Sequence, residues 1–155
     1  MSDPRVVKAS GDLAAPRVVI SRITSDPIAA DQHAAAVAGD VVGAVVTFSG
    51  VVRNHDHGRT VVSLDYEAHP TADGILRAVA TEVAEQHPGV RSIAVSHRIG
   101  QLGIGDVALA CAVSAAHRGA AFAACSDLVD ALKARLPIWK HQTFADGTDE
   151  WVNSP

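Results

Sequence analysis

Residues 40–52, DVVGAVVTFSGVV, constrain the fold most, because valine and other apolar side chains fall at both odd and even positions. Successive side chains of a strand point to opposite faces, so this run is expected to be a strand buried on both sides inside a layered domain. Gly43 and Gly50 interrupt it and mark bulges or points of close backbone approach. The polar segment RNHDHGRT follows at 53–60, with Gly58 as its turn residue. VVSLDYEAH, 61–69, then reads as the partner strand of a β-hairpin with a long tip.

The remaining elements follow from periodicity and punctuation. RVVISRIT, 17–24, is a first strand, and Ser25-Asp26-Pro27 opens a helix over 27 to about 38, closed by Gly39. Ile75, Leu76, Val79, Ala80, Val83 and Ala84 have helical spacing over 70–87, and Pro88-Gly89 ends that helix. VRSIAVSHRIG and DVALACAVSA flank the glycine-rich QLGIG turn as a second hairpin. A third helix spans about 117–136, with Phe122, Cys125, Val129, Leu132 and Leu136 on one stripe, and Pro137 stops it. IWKHQTF and DGTDEWV form two extended pieces around the Asp146-Gly147 turn. The order β-α-β-β-α-β-β-α-β-β implies an α+β domain with mainly antiparallel pairing and helices covering one face. Residues 1–16 lack any period and read as a disordered tail, leaving a single domain over 17–155.

Totals narrow the function classes. A chain of 155 residues with 48% hydrophobic content can bury a core in one domain. Seventeen acidic against thirteen basic residues give a net charge of −4, which excludes nucleic acid or an anionic membrane surface as the main partner. Any anion site must therefore be local. No signal peptide and no span of eighteen apolar residues is visible, so a soluble, cytoplasmic protein is expected. Cys111 and Cys125 lie in apolar runs outside any CxxC motif and read as buried free thiols. P-loop, GxGxxG, GxSxG and HExxH patterns are absent from the sequence.

The chemistry concentrates in residues 114–141, SAAHRGAAFAACSDLVDALKARLPIWKH. His117 and Arg118 stand where a strand gives way to a helix. Free N–H groups and the helix dipole favour an anion there, and two cations at that end carry an electrostatic cost that a bound phosphate offsets. An ordinary exposed helix start is the alternative. Lys133 falls in the last turn, where the dipole alone favours a cation. Lys140 follows Trp139, and a packed Trp139 would shelter its ammonium from water; a solvated lysine beside a core tryptophan is the alternative. Arg53 ends the valine-rich strand. Asn54-His55-Asp56-His57 invites a zinc reading but lacks a third ligand at fixed spacing. His33, His69, His87 and His97 show no ligand spacing and read as structural or surface residues.

Five stretches in order, GAVVTFSGVVRNH, YEAHP, SHRIGQLGIGD, SAAHRGAAF and LKARLPIWKHQ, resemble the catalytic (large) subunit of molybdopterin synthase over about 41–152. The resemblance implies an α/β hammerhead with an additional antiparallel β subdomain. It also implies a homodimer that binds two copies of a ubiquitin-like sulfur-carrier small subunit, giving a heterotetramer. The implied reaction converts cyclic pyranopterin monophosphate to molybdopterin by transfer of two sulfurs from the carrier's C-terminal glycine thiocarboxylate, with no resident cofactor or metal. By the same resemblance Lys133 and Lys140 are catalytic, Arg53, His117 and Arg118 bind the substrate's anionic groups, and Phe48, Val51, Val52, His141 and Gln142 line the pocket. Gln142 departs from a family pattern that often has Glu there, and no basic residue follows Trp151-Val152. The competing readings are a non-catalytic binding module for the carrier and a metal-dependent hydrolase using His55, Asp56 and His57. Sixteen residues separate His117 from Lys133, which is ~24 Å along one helix. If both serve one substrate, His117 and Arg118 must come from the neighbouring subunit.

Overall fold

VALACAVSA, strand β7 (Val107–Ala115), is covered on both faces and forms the middle of the molecule, whereas the valine-rich run forms an edge. A computed structural model describes residues 17–153, so the expected tail over 1–16 lies outside the described residues. The elements in chain order are β1 (Val18–Thr24), α1 (Ala30–Val37), β2 (Ala44–Val51), β3 (His55–Asp56), β4 (Arg59–Ala68), α2 (Ala72–Gln86), β5 (Val90–Arg98), β6 (Gly100–Leu102), β7, α3 (Arg118–Arg135), β8 (Ile138–Phe144) and β9 (Asp149–Asn153). This is the expected α+β order with two short strands, β3 and β6, added. Among the described residues no helix is long and apolar enough to cross a membrane.

The strands form two sheets. One has the order β1-β5-β7-β2, with β1 parallel to β5 and the other pairs antiparallel. The other runs β3-β4-β8-β9, and β6 adds to β4. The β5–β7 and β8–β9 hairpins form as the sequence predicts, the latter around Gly147 at φ 85°. The predicted β2–β4 hairpin does not form. β2 pairs with β7, and β4 crosses to the second sheet. The end of β2 is tied to the β6–β7 turn, with Val52 N–H donating to Asp106 (2.9 Å) and Gly105 N–H donating to Val52 (2.8 Å). The polar segment is thus a crossover, and its real turn is His57-Gly58, both at positive φ (49° and 75°), which joins β3 to β4.

Burial on both sides is also not observed for β2. At the sheet edge its side chains alternate, leaving Val45 41% and Val51 52% exposed. Helices cover both faces of the four-stranded sheet, not one. Leu76, Val79 and Val83 of α2 and Leu128 and Leu132 of α3 pack with Ile93, Val95, Leu109, Cys111 and Val113. Side chains alternate along β5 and β7, so Ala94 and Ala112 meet Val37 of α1 on the opposite face. There the buried His33 donates through Nδ1 to the Ala29 carbonyl and accepts at Nε2 from Ser96 Oγ, both at 2.7 Å. It is the structural histidine that its lack of ligand spacing implies. α1 starts later than predicted because Thr24 Oγ1 accepts from Asp26 N–H and holds 25–26 in a bend.

The stripe on α3 is rotated from the predicted one. Ala121, Ala124, Cys125, Leu128 and Leu132 face inward, and Phe122 is 60% exposed. Small side chains at 121 and 124 let the helix approach the sheet closely, so size is a poor guide to the buried face there. Cys111 and Cys125 are free and buried, and burial pushes both thiols above the usual cysteine range.

Gly43 marks a close approach, as its position implies. Its N–H donates to the Ala115 carbonyl (3.0 Å), and a Cβ there would lie 2.2 Å from the Ala116 oxygen. Gly43→Ala is therefore expected to lose about 1–3 kcal/mol in denaturant unfolding. Gly74→Ala, on α2 with open space around the new methyl, should be neutral or gain up to about 1 kcal/mol.

Candidate active site

Three cations from three different elements converge on one cavity of about 230 Å³ where the two sheets meet. Arg53 arrives from the end of β2, Lys133 from the last turn of α3, and Lys140 from β8. Pro137 ends the helix after the Leu136 cap, and three residues later the pleat of β8 turns Lys140 inward. Phe48, Gly50, Val51 and Val52 supply one wall with Ala108 and Leu109 of β7, and Leu64 and Tyr66 of β4 supply the other. Lys140 stands opposite Tyr66 in the β4–β8 ladder, and Gln142 stands opposite Leu64. Period two places all four on the face that lines the cavity.

A polar network underlies the cations. Gln142, 2% exposed, donates both amide hydrogens, to Asp56 Oδ2 (2.8 Å) and Glu150 Oε1 (3.0 Å). Asp56 also has Arg53 at 3.5 Å and His57 at 3.7 Å. The Gln142 hydrogen bond, and then the charges of Lys140, His57 and Arg53, hold the Asp56 carboxyl below its ordinary value of 3.8, against an opposing effect of desolvation. A single buried amide thus joins the β3 turn to β9 beneath the site. Among the described residues no group of three or more His, Cys, Asp or Glu is placed to hold a metal ion.

Of the residues singled out in the sequence, Phe48, Gly50, Val51, Val52, Arg53, Lys133, Lys140 and Gln142 line this cavity, as do His55 and Asp56 of the segment read for zinc. His141 does not. It faces the other side of β8, stacks on Trp151 (4.4 Å between ring centres, 6° between planes) and meets Asp149 Oδ2 at 2.6 Å. Trp139 also lies on that side, so it does not shelter Lys140; Tyr66 is the aromatic opposite Lys140 in the ladder, and both line the cavity. His117 and Arg118 are exposed at the opposite end of α3, and His117 makes no side-chain cap. Tyr66, Leu64 and Leu109 complete the cavity without having been singled out as parts of it. Tyr66 lies in a recognised motif, but nothing local in the sequence reveals that β4 pairs with β8.

A family model described as "MoaE protein" matches residues 23–135. The chain is similar to the molybdopterin synthase catalytic subunit of Nostoc sp., at 38% identity over 132 residues, covering 84% of this chain and 80% of that one. It is also similar to molybdopterin synthase catalytic subunit 1 of Mycobacterium tuberculosis, at 40% identity, covering 84% and 88%. Among solved structures, molybdopterin synthase from Staphylococcus aureus superposes with a TM-score of 0.78 at 35% identity, covering 84% and 94%.

Replacing Gln142 by Leu leaves two carboxylates without their shared donor and is expected to destabilise the fold by about 1–3 kcal/mol at neutral pH. A group whose pKa is depressed on folding contributes stability above its unfolded value and loses it as pH falls through the folded one. The gap between wild type and Gln142→Leu should therefore narrow below pH 3.8, measured by thermal unfolding across an acid series.

Proposed function

Because the chain belongs to the MoaE protein family, we infer that it is the catalytic, sulfur-transferring subunit of a molybdopterin synthase. It converts cyclic pyranopterin monophosphate to molybdopterin, taking two sulfurs from the C-terminal glycine thiocarboxylate of a ubiquitin-like small subunit. The observation that carries the reading is the convergence of Arg53, Lys133 and Lys140 on one cavity. Both reactants bring negative charge, a phosphate and a thiocarboxylate, into a protein of net charge −4, so attraction has to be local. Arg53, at the mouth and 68% exposed, orients the carrier tail or the pterin phosphate. Lys133 transfers a proton or holds the charged intermediate as the thiocarboxylate attacks, and Lys140 stabilises negative charge developing on sulfur or phosphate. Phe48, Val52 and Leu109 keep water low around them, which strengthens each of these interactions.

The family reading also assigns the four-stranded part to the α/β hammerhead and the β3-β4-β8-β9 sheet to the antiparallel subdomain, within one domain over 17–155 of a cytoplasmic protein. His117 and Arg118 then act in the neighbouring copy. β2 has a free edge among the described residues, its Ala44 end adjoins the start of α3, and its Val51 end lines the cavity. A two-fold axis near the middle of β2 brings one end of each copy to the other end of its partner. The exposed Val45, Val51 and Phe122, and the groove between Phe48 and Phe122, give that contact apolar surface. A homodimer carrying two small subunits is the resulting assembly.

Lys133→Ala should lower product formation at least ~100-fold while carrier binding stays near normal; unchanged turnover would remove Lys133 from the mechanism. Mixing His117→Ala and Lys133→Ala protomers should restore part of the activity, since one site of the mixed dimer is then intact. Absence of rescue would show that each site uses only its own chain.

A further inference from the structure

Tyr66 is flanked by Lys140 across the ladder and by Leu64 along its own strand, and its ring is only 8% exposed in the cavity wall. Burial pushes its phenol up to about 12. The group therefore stays an O–H donor at neutral pH, next to cations but neutral itself. Behind it stands His97 of β5, which is fully buried and meets the Tyr66 ring edge-on (4.9 Å between centres, 78° between planes). His97 pairs in register with Leu109, another wall residue, so the imidazole sits directly behind the lining. Its Nδ1–H donates to the Arg98 carbonyl (2.8 Å), and Nε2 has no partner among the described residues. Burial pulls His97 down to about 4, with a hydrogen bond to Arg98 opposing and Lys133 adding to the shift. His97 is thus a neutral, fixed ring.

We propose that Tyr66 is a substrate-contacting residue whose hydroxyl donates to an uncharged carbonyl oxygen of the bound reactants, and that His97 is the positioning residue that sets its ring. The proposal rests on the function inferred above. Arg53, Lys133 and Lys140 already meet the reactants' anionic groups with full positive charge, which leaves the neutral donor for an acceptor outside those groups. A neutral donor held among Leu64, Ala108 and Leu109 suits a neutral acceptor. Left unpaired by a bound molecule, such a donor loses its hydrogen bond to water without replacement, so it selects for the carbonyl. Two reactants carry one: the pterin ring and the peptide backbone of the carrier tail.

Tyr66→Phe removes only the hydroxyl. In the complex with thiocarboxylated carrier, kcat/KM should fall ~10-fold or more with Tm unchanged. A rise in KM for pyranopterin assigns the acceptor to the pterin, and a rise in KM for the carrier assigns it to the tail; unchanged constants for both overturn the proposal. Lack of turnover by the wild-type complex would instead sink the functional reading, and equilibrium binding of each ligand to wild type and Tyr66→Phe then decides the proposal by itself. His97→Leu should reproduce the Tyr66→Phe change in KM, the double variant should be no worse than either, and His97→Phe should restore the ring contact and the wild-type constants. Additive losses, or no recovery with Phe, would reduce His97 to a structural residue.

Discussion

The antiparallel pairing of β4 with β8 is the contact on which the cavity depends. It sets Tyr66 against Lys140 and Leu64 against Gln142, with Ala68 against Ile138 anchoring the end. A strand's side chains alternate, so a slip of one residue would turn Lys140 and Gln142 outward and bring Trp139 and His141 into the cavity. Ile138, Gln142 and Phe144 are all buried, and that inward set resists the slip. The register of a core thus fixes the position of the chemistry, and Lys140 needs no dedicated support of its own. Lys133 is held by a different part of the same core, through Leu128 and Leu132 on the inner face of α3.

Gathering three cations in a small space carries a repulsive cost, and the polar network answers it. Asp56 places one carboxylate near Arg53 and Lys140, and the Gln142 amide keeps that carboxylate ionised while joining it to Glu150. The amide matters more than a second acid would. A carboxylate at 142, buried between Asp56 and Glu150, would leave three acceptors and no donor, whereas the amide satisfies both neighbours. Gln142 is thus consistent with its own surroundings.

How much of this was legible in the sequence divides along the range of the interactions. Helix α3 lies within a residue of its predicted bounds because its start, its stop at Pro137 and its apolar spacing are all local. The Asp146-Gly147 turn and the close approach at Gly43 were readable for the same reason. Apart from the late start of α1 and the rotated inner face of α3, the errors concern pairing between distant segments. Residues 40–52 look like a central strand because they are rich in valine, but β2 is an edge, and the strand buried on both faces is the alanine-rich β7. The expected β2–β4 hairpin failed because a polar segment between two apolar runs looks the same whether it closes a hairpin or crosses between sheets. Tyr66 escaped notice because its partner is Lys140, more than seventy positions away.

The valines that misled the sequence reading acquire a meaning at the edge. β2 and α3 run side by side between the same two places, the start of α3 at one end and the cavity at the other. Apolar side chains left in water along that path, Val45, Val51 and Phe122, forgo the stabilisation that burial gives. Covering them with a second copy by a two-fold contact recovers it, and the same operation superposes opposite ends of the two helices. In the dimer proposed above, the ~24 Å that separates His117 from Lys133 within one chain is the spacing between two sites, each combining the lysine end of one helix with the histidine end of its partner. On this arrangement the apolar surplus of β2 and the split cations of α3 have a single cause.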